Sequence, residues 1–166
     1  MLTESFVYGV LVALLQLFVG FAFSVAAVYI GISLVDRLTG RVRHWNLIKK
    51  GNVAVGVLYA AIVISLVLMI QPSVDSTVMS LSDAKNPMFL FGANLLVLVI
   101  SLLLGVLLIF VLLKIIDAMT SDVDEMDEIN KGNVAMSLIT ASALIAVSFI
   151  MQATFKYLVG KLTLLA

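Results

Sequence analysis

Four uncharged apolar runs alternate with short polar stretches along the chain, at about residues 5–35, 51–70, 88–113 and 132–155. A hydrocarbon core of about 30 Å is crossed by roughly 20 residues at the helical rise, so each run is long enough to span it as a helix. The apolar residues are continuous rather than alternating, which excludes the strand pattern of a membrane barrel. The first and third runs exceed the minimum and must tilt, curve or project beyond the bilayer. Polar stretches at 36–50, 71–87 and 117–131 connect the runs, and Pro72 and Pro87 punctuate the middle one. The chain opens Met-Leu-Thr-Glu without a basic segment and stays apolar too long for a cleaved leader, so the first helix is expected to be retained. The predicted fold is an all-α polytopic membrane protein of four transmembrane helices.

The same pattern occurs twice. Shifting the sequence by 81 residues aligns Lys50-Gly51-Asn52-Val53-Ala54 with Lys131-Gly132-Asn133-Val134-Ala135, without a gap. It also aligns Asp36 with Asp117, Thr39 with Thr120, Ile48 with Ile129 and Gln71 with Gln152. The unit is a helical hairpin, and a unit of two spans leaves both copies in one orientation. Such parallel repeats imply a pseudo-twofold axis along the membrane normal. The division expected is a first hairpin repeat at 1–71, an external linker at 72–87, and a second hairpin repeat with a short C-terminal tail at 88–166.

Composition agrees with a chain solvated by lipid: 63% of residues are hydrophobic and 12% charged, too apolar for a soluble domain. The net charge of zero gives no field to recruit nucleic acid. Local charge is informative. Arg37, Arg41, Arg43, Lys49, Lys50, Lys114 and Lys131 fall on one side, against Lys85, Lys156 and Lys161 on the other. The excess places the first and third connections in the cytoplasm and both termini outside.

The paired Gly-Asn-x-Ala motifs at Gly51-Asn52-Val53-Ala54 and Gly132-Asn133-Val134-Ala135, each opening the second helix of a hairpin, resemble the YjfL-like inner-membrane family, family 350 of the domains of unknown function. The resemblance covers both halves of the chain. It implies a protein of the prokaryotic cytoplasmic (inner) membrane with no catalytic residues to carry over, and a link to envelope stress through the neighbours of some members. The first turn, Thr39 to Trp45, is basic where the family leads one to expect acidic residues, which weakens any transfer of turn function.

Candidate chemistry is sparse. There is no cysteine, and the lone His44 has no zinc-ligand spacing or triad partner around it, so it reads as a hydrated loop residue. No HExxH, P-loop, GxSxG or dinucleotide fingerprint occurs. Neither an enzyme nor a cofactor or metal is expected. Gly9, Ala13, Gln16, Gly20, Ser24, Ala27 and Gly31 form a seam of small side chains on the first helix, of the kind that lets helices approach closely in lipid. Gln16 and Asn94 lie within the spans, and each needs a hydrogen-bond partner there, conceivably the other. Asn52 and Asn133 are placed to cap helix starts. Lys50 and Lys131 beside them suit lipid phosphates. A cation shared by the oxygens of Asp36, Asp117, Asn52 and Asn133 is a rival reading that the spacing does not demand. Arg41 and Arg43 align with Asp122 and Asp124, so the two turns carry opposite charge and are expected to pair, within one subunit or between neighbours. The function expected is a non-enzymatic, homo-oligomeric assembly or scaffold subunit in the lipid bilayer, with a cytoplasmic protein partner at the charged turns. The alternative is a small channel or transporter for an ion or polar solute, lined by Gln16 and Asn94.

Overall fold

The computed structural model describes residues 2–39, 44–80, 87–119 and 124–164. These form six helices: α1 (Leu2–Thr39), α2 (His44–Lys49), α3 (Val53–Ser80), α4 (Pro87–Met119), α5 (Glu125–Asn130) and α6 (Val134–Leu164). The described residues contain no strand. The starts of α2, α3, α5 and α6 recur at the offset found in the sequence, so each repeat is a long helix, a one-turn-and-a-half helix and a second long helix. Four helices, α1, α3, α4 and α6, are long and apolar enough to cross a membrane.

Three boundaries differ from the sequence reading. The polar stretches 36–50 and 117–131 are largely helical, because the long helices run on to Thr39 and Met119 and then give way to α2 and α5. His44 therefore opens a helix instead of sitting in a loop. The helix α3 continues through Pro72 to Ser80, so the stretch expected to be a linker begins as helix. A proline inside a membrane helix removes one backbone hydrogen bond, and neighbouring side chains can answer the freed group. The freed group is the Leu68 carbonyl, and beyond the proline Thr77 Oγ1 donates to Ser73 O at 2.7 Å within the helix. Pro87 does act as punctuation, occupying the first position of α4, where its missing N–H costs nothing.

Helix α3 lies at the centre. It packs against α6 over the largest interface in the molecule, and against α4 and α1 on its other sides. Leu58, Leu66, Met69 and Ile70 of α3 are fully buried, together with Ile109 of α4 and Leu144 of α6. Since lipid tails are as apolar as these side chains, the gain on assembly comes from close packing and from hydrogen bonds between helices. The small-residue seam of α1 serves that packing: Ala27 and Gly31 are buried. A Cβ at Gly31 would stand 2.7 Å from Leu66 Cδ1, so glycine is what lets α1 meet α3 there. Phe23 of α1 and Phe91 of α4 stack obliquely, 6.1 Å between centroids. The rest of α1 presents Leu11, Leu15, Phe18, Phe21 and Tyr29 outward, as a lipid-facing helix does.

Candidate functional site: paired Gly-Asn turns and a polar cleft

At each Gly-Asn motif one short helix stops and one long helix starts within three residues. Gly51 and Gly132 have φ of +82° and +98°, a left-handed conformation in which any side chain with a Cβ is strained. In the first turn Gly51 N–H donates to Ile48 O at 2.9 Å and Asn52 N–H to Leu47 O at 3.0 Å. In the second Gly132 donates to Ile129 O and Asn133 to Glu128 O, both at 3.0 Å. This is the Schellman arrangement, which satisfies the last carbonyls of a helix. The asparagines then cap the long helices α3 and α6, Asn52 Oδ1 accepting from Val55 N–H at 3.1 Å and Asn133 Oδ1 from Met136 N–H at 3.2 Å.

The capping role expected of both asparagines is therefore present, and it accounts for the Gly-Asn pair. Each asparagine oxygen accepts one backbone N–H in this way. The amide nitrogens differ between the repeats. Asn52 Nδ2 donates to Asn130 O at 2.8 Å and Ile129 O at 3.3 Å, tying the start of α3 to the end of α5. Asn133 Nδ2 stays within its own turn, donating to Glu128 Oε2 at 3.2 Å. Ser137 Oγ adds a second tie between repeats by donating to Ala54 O at 2.6 Å.

Lys50 and Lys131 are exposed at this rim. Lys131 lies 2.7 Å from Asp127 and 3.2 Å from Glu128. These partners raise the Lys131 pKa. Asn133, and then Lys131, lower that of Glu128. Asp124 caps α5, its carboxylate accepting from Asp127 N–H at 3.0 Å. Arg41, Arg43 and Asp122, the other members of the expected charged-turn pairing, lie outside the described residues.

The intramembrane amides do not pair with each other, contrary to one expectation. Both reach the far end of α3: Gln16 Nε2 donates to Val78 O at 3.3 Å, and Asn94 Nδ2 to Ser76 O at 3.2 Å while its Oδ1 accepts from Ser76 Oγ at 3.0 Å. The last turns of α3 offer both amides backbone carbonyls within reach. Ser73 and Ser101, both fully buried, join α3 to α4 one turn deeper at 2.6 Å. Gln152 Nε2 donates to Gln71 Oε1 at 2.9 Å, so the two repeat-equivalent glutamines meet at the α3–α6 interface. Around them opens a cleft of about 990 Å³ between α3, α4 and α6, at the end of the bundle opposite the Gly-Asn turns. Asp75, Ser76, Asn94 and Lys156 also line it. Gln16 instead faces a separate groove with Val78 and Asp75. The glutamine pair was legible as an alignment in the sequence, but its contact was not anticipated.

A family model described as Domain of Unknown Function (DUF350) matches residues 6–93 and again residues 89–165. The chain belongs to this family. It carries two tandem copies of the DUF350 unit, each holding one Gly-Asn turn, in the register set by the internal repeat. No curated protein and no solved structure matches the chain. In both copies the shared Gly-Asn motif builds a turn between two helices.

Proposed function

We propose that the chain is a non-enzymatic subunit of a homo-oligomeric assembly in the prokaryotic cytoplasmic membrane, oriented with its Gly-Asn turns in the cytoplasm and both termini outside. The seven basic residues on the turn side support the orientation. In this reading a pseudo-twofold axis runs between α3 and α6 through the Gln71–Gln152 pair.

One observation carries the oligomer. Ala135, Ser142, Ala146, Ala153 and Gly160 recur at helical spacing along a single line of α6, opposite its packed face of Ser137, Leu144 and Phe155. All five are exposed, Ala153 and Gly160 at the edge of the polar cleft. In the first repeat the inner part of the same line holds Ala54, Ala61 and Ser65, at 0%, 1% and 0% exposure, before half-buried Pro72 and exposed Met79. The seam that α3 buries among its neighbours is thus bare on α6, because α1 makes no comparable contact with α6. A small-residue line bare to lipid is a surface on which another helix can pack closely, and a second copy supplies helices of matching character.

The absence of cysteine makes the test free of background. Ala153→Cys should cross-link to a dimer in native membranes, and Leu103→Cys on the exposed side of α4 should not. Ala146→Leu with Ala153→Leu should reduce the oligomer seen by single-molecule subunit counting. Equal cross-linking at both cysteines, or an oligomer untouched by the double leucine variant, refutes the reading. The cleft at Gln71 and Gln152 favours a second reading, a binding path for a polar solute, because Asp75 and Lys156 bring opposite charges to its wall. Ion or solute flux that disappears in Gln71→Leu/Gln152→Leu, with the oligomer intact, would make it the leading one.

A further inference from the structure

The two repeats part company just inside the turns. In the first, the Tyr59 hydroxyl donates to Asp36, and the tyrosine is buried at 7% exposure. The second repeat keeps the aspartate, as Asp117, but has Thr140 where Tyr59 stands. The short threonine turns to its own helix, its Oγ1 donating to Met136 O at 3.1 Å. Between Thr140 and Asp117, the place that corresponds to the tyrosine ring, there is a small cavity of about 50 Å³ with apolar walls that include Phe110 and Ile129. Its polar lining is Asp117, Lys114, Thr140 and Glu125.

Glu125 is the unusual member. It is 3% exposed, and beyond its own backbone N–H and the Asp117 carboxyl neither carboxylate oxygen has a hydrogen-bonding neighbour of good geometry among the described residues. An ionised carboxylate buried without a counter-charge is costly, and such a group takes up a proton in preference to remaining charged. Asp117 stands close enough to act on its ionisation. A like charge beside it in a confined space adds to that preference. A cavity needs roughly 10–15 Å³ of such volume to hold a water, so this one has room for the water through which a proton arrives.

We propose that Glu125 is a proton-binding site, its carboxyl held beside the Asp117 carboxylate in the cavity that the second repeat opens by carrying threonine for tyrosine. A hydronium ion gives its proton to the Glu125 carboxylate and leaves as water, and the Asp117 carboxylate accepts the resulting O–H.

The groups around the pair agree with a proton as the ligand. From α4, Lys114 lies 3.9 Å from Asp117 and faces water, as does part of Asp117 itself. From α5 the neighbouring charges are Asp124, Asp127 and Glu128, all negative, with Asp127 and Glu128 held by Lys131. Thr140 of α6 and the Asn52 amide of α3 bring no charge. Burial raises the Glu125 pKa most; its own backbone N–H opposes this, and Asp117, then Asp124, raise it further. A calcium or magnesium ion would ask for six or more oxygens, whereas these apolar walls offer two carboxylates and a hydroxyl already engaged with Met136 O.

The test is an infrared pH titration of the full-length protein in lipid vesicles, following the band of protonated carboxyl groups. The wild type should show one carboxyl that stays protonated at pH values where the exposed carboxylates have ionised. Glu125→Gln should abolish that band. Asp117→Asn should move it toward the ordinary range, and Thr140→Tyr should do the same by giving Asp117 a phenol donor as in the first repeat. Circular dichroism confirms that each variant is folded, and Glu125→Asp, which keeps a carboxyl, should retain a titrating band. Ionisation of every carboxyl together in the wild type, or a late band that survives in Glu125→Gln, overturns the proposal. So does loss of the band at constant pH on adding sodium, potassium or magnesium, which would make the site a cation site.

Discussion

Replacing Asn52 by alanine and by aspartate separates two tasks that one side chain performs. Asn52→Ala removes the cap on Val55 N–H, a loss of about 1 kcal/mol. It also removes the two donations to Ile129 O and Asn130 O, each contributing about 1 kcal/mol net. The total is about 3 kcal/mol. Asn52→Asp keeps an oxygen for the cap but has no N–H to give, so about 2 kcal/mol should still be lost. The same change at Asn133 is the control. Its cap is equivalent, but its amide reaches only the partly exposed Glu128, so Asn133→Ala should cost about 1 kcal/mol. Equilibrium unfolding of the full chain in lipid bicelles, by steric trapping or graded detergent, measures each difference. Equal losses in Asn52→Ala and Asn133→Ala, within about 0.5 kcal/mol, would show that the bonds from α3 to α5 contribute nothing and would refute the asymmetry.

Gly51→Ala and Gly132→Ala should each destabilise by about 1 kcal/mol through backbone strain alone, since a Cβ at either position meets nothing within 4 Å; the same unfolding assay reads it. Gly31→Ala should cost about 1–3 kcal/mol by crowding Leu66, and Leu66→Val in the same chain should recover part of the loss. Stability attached to Glu128 should be complete above the ordinary glutamate pKa and fall away as pH drops through its lowered folded value, because Asn133 and Lys131 favour the ionised form. Carbon NMR of Glu128 should find that lowered value, and Asn133→Ala should move it back up. Glu125 runs the other way: its raised pKa makes the folded state the better proton binder, so its contribution weakens as pH rises above the ordinary glutamate value toward the folded one. Glu125→Gln should therefore match the wild type in acid and exceed it in stability at alkaline pH.

Much of the fold was written in local pattern. Four apolar runs define four spans, because a hydrocarbon core constrains length and little else. The Gly-Asn turns were equally legible, since a glycine past a helix end and an asparagine at the next helix start act on backbone groups a few residues away. Helix ends were less legible. The extension of α3 past Pro72 depends on bonds to other helices at Ser73, Ser76 and Thr77, and no local propensity reports those.

The sequence by itself determined the number of spans, the repeat and its register, and the capping chemistry of the turns, all of which depend on residues close in the chain or on the length of apolar runs. Tertiary structure alone decided which helix lies at the centre, and with it which buried polar groups find partners. Gln16 and Asn94 looked suited to each other and instead both bind α3, while Gln71 and Gln152 meet across the repeat. The Tyr59 to Thr140 difference was visible as two letters, yet it has a consequence only because packing places Asp117 and Glu125 around the space it leaves. The two repeats share the Lys-Gly-Asn-Val-Ala motif and its local rules, but each side chain meets different neighbours, and it is the neighbours that set hydration, charge and cavity.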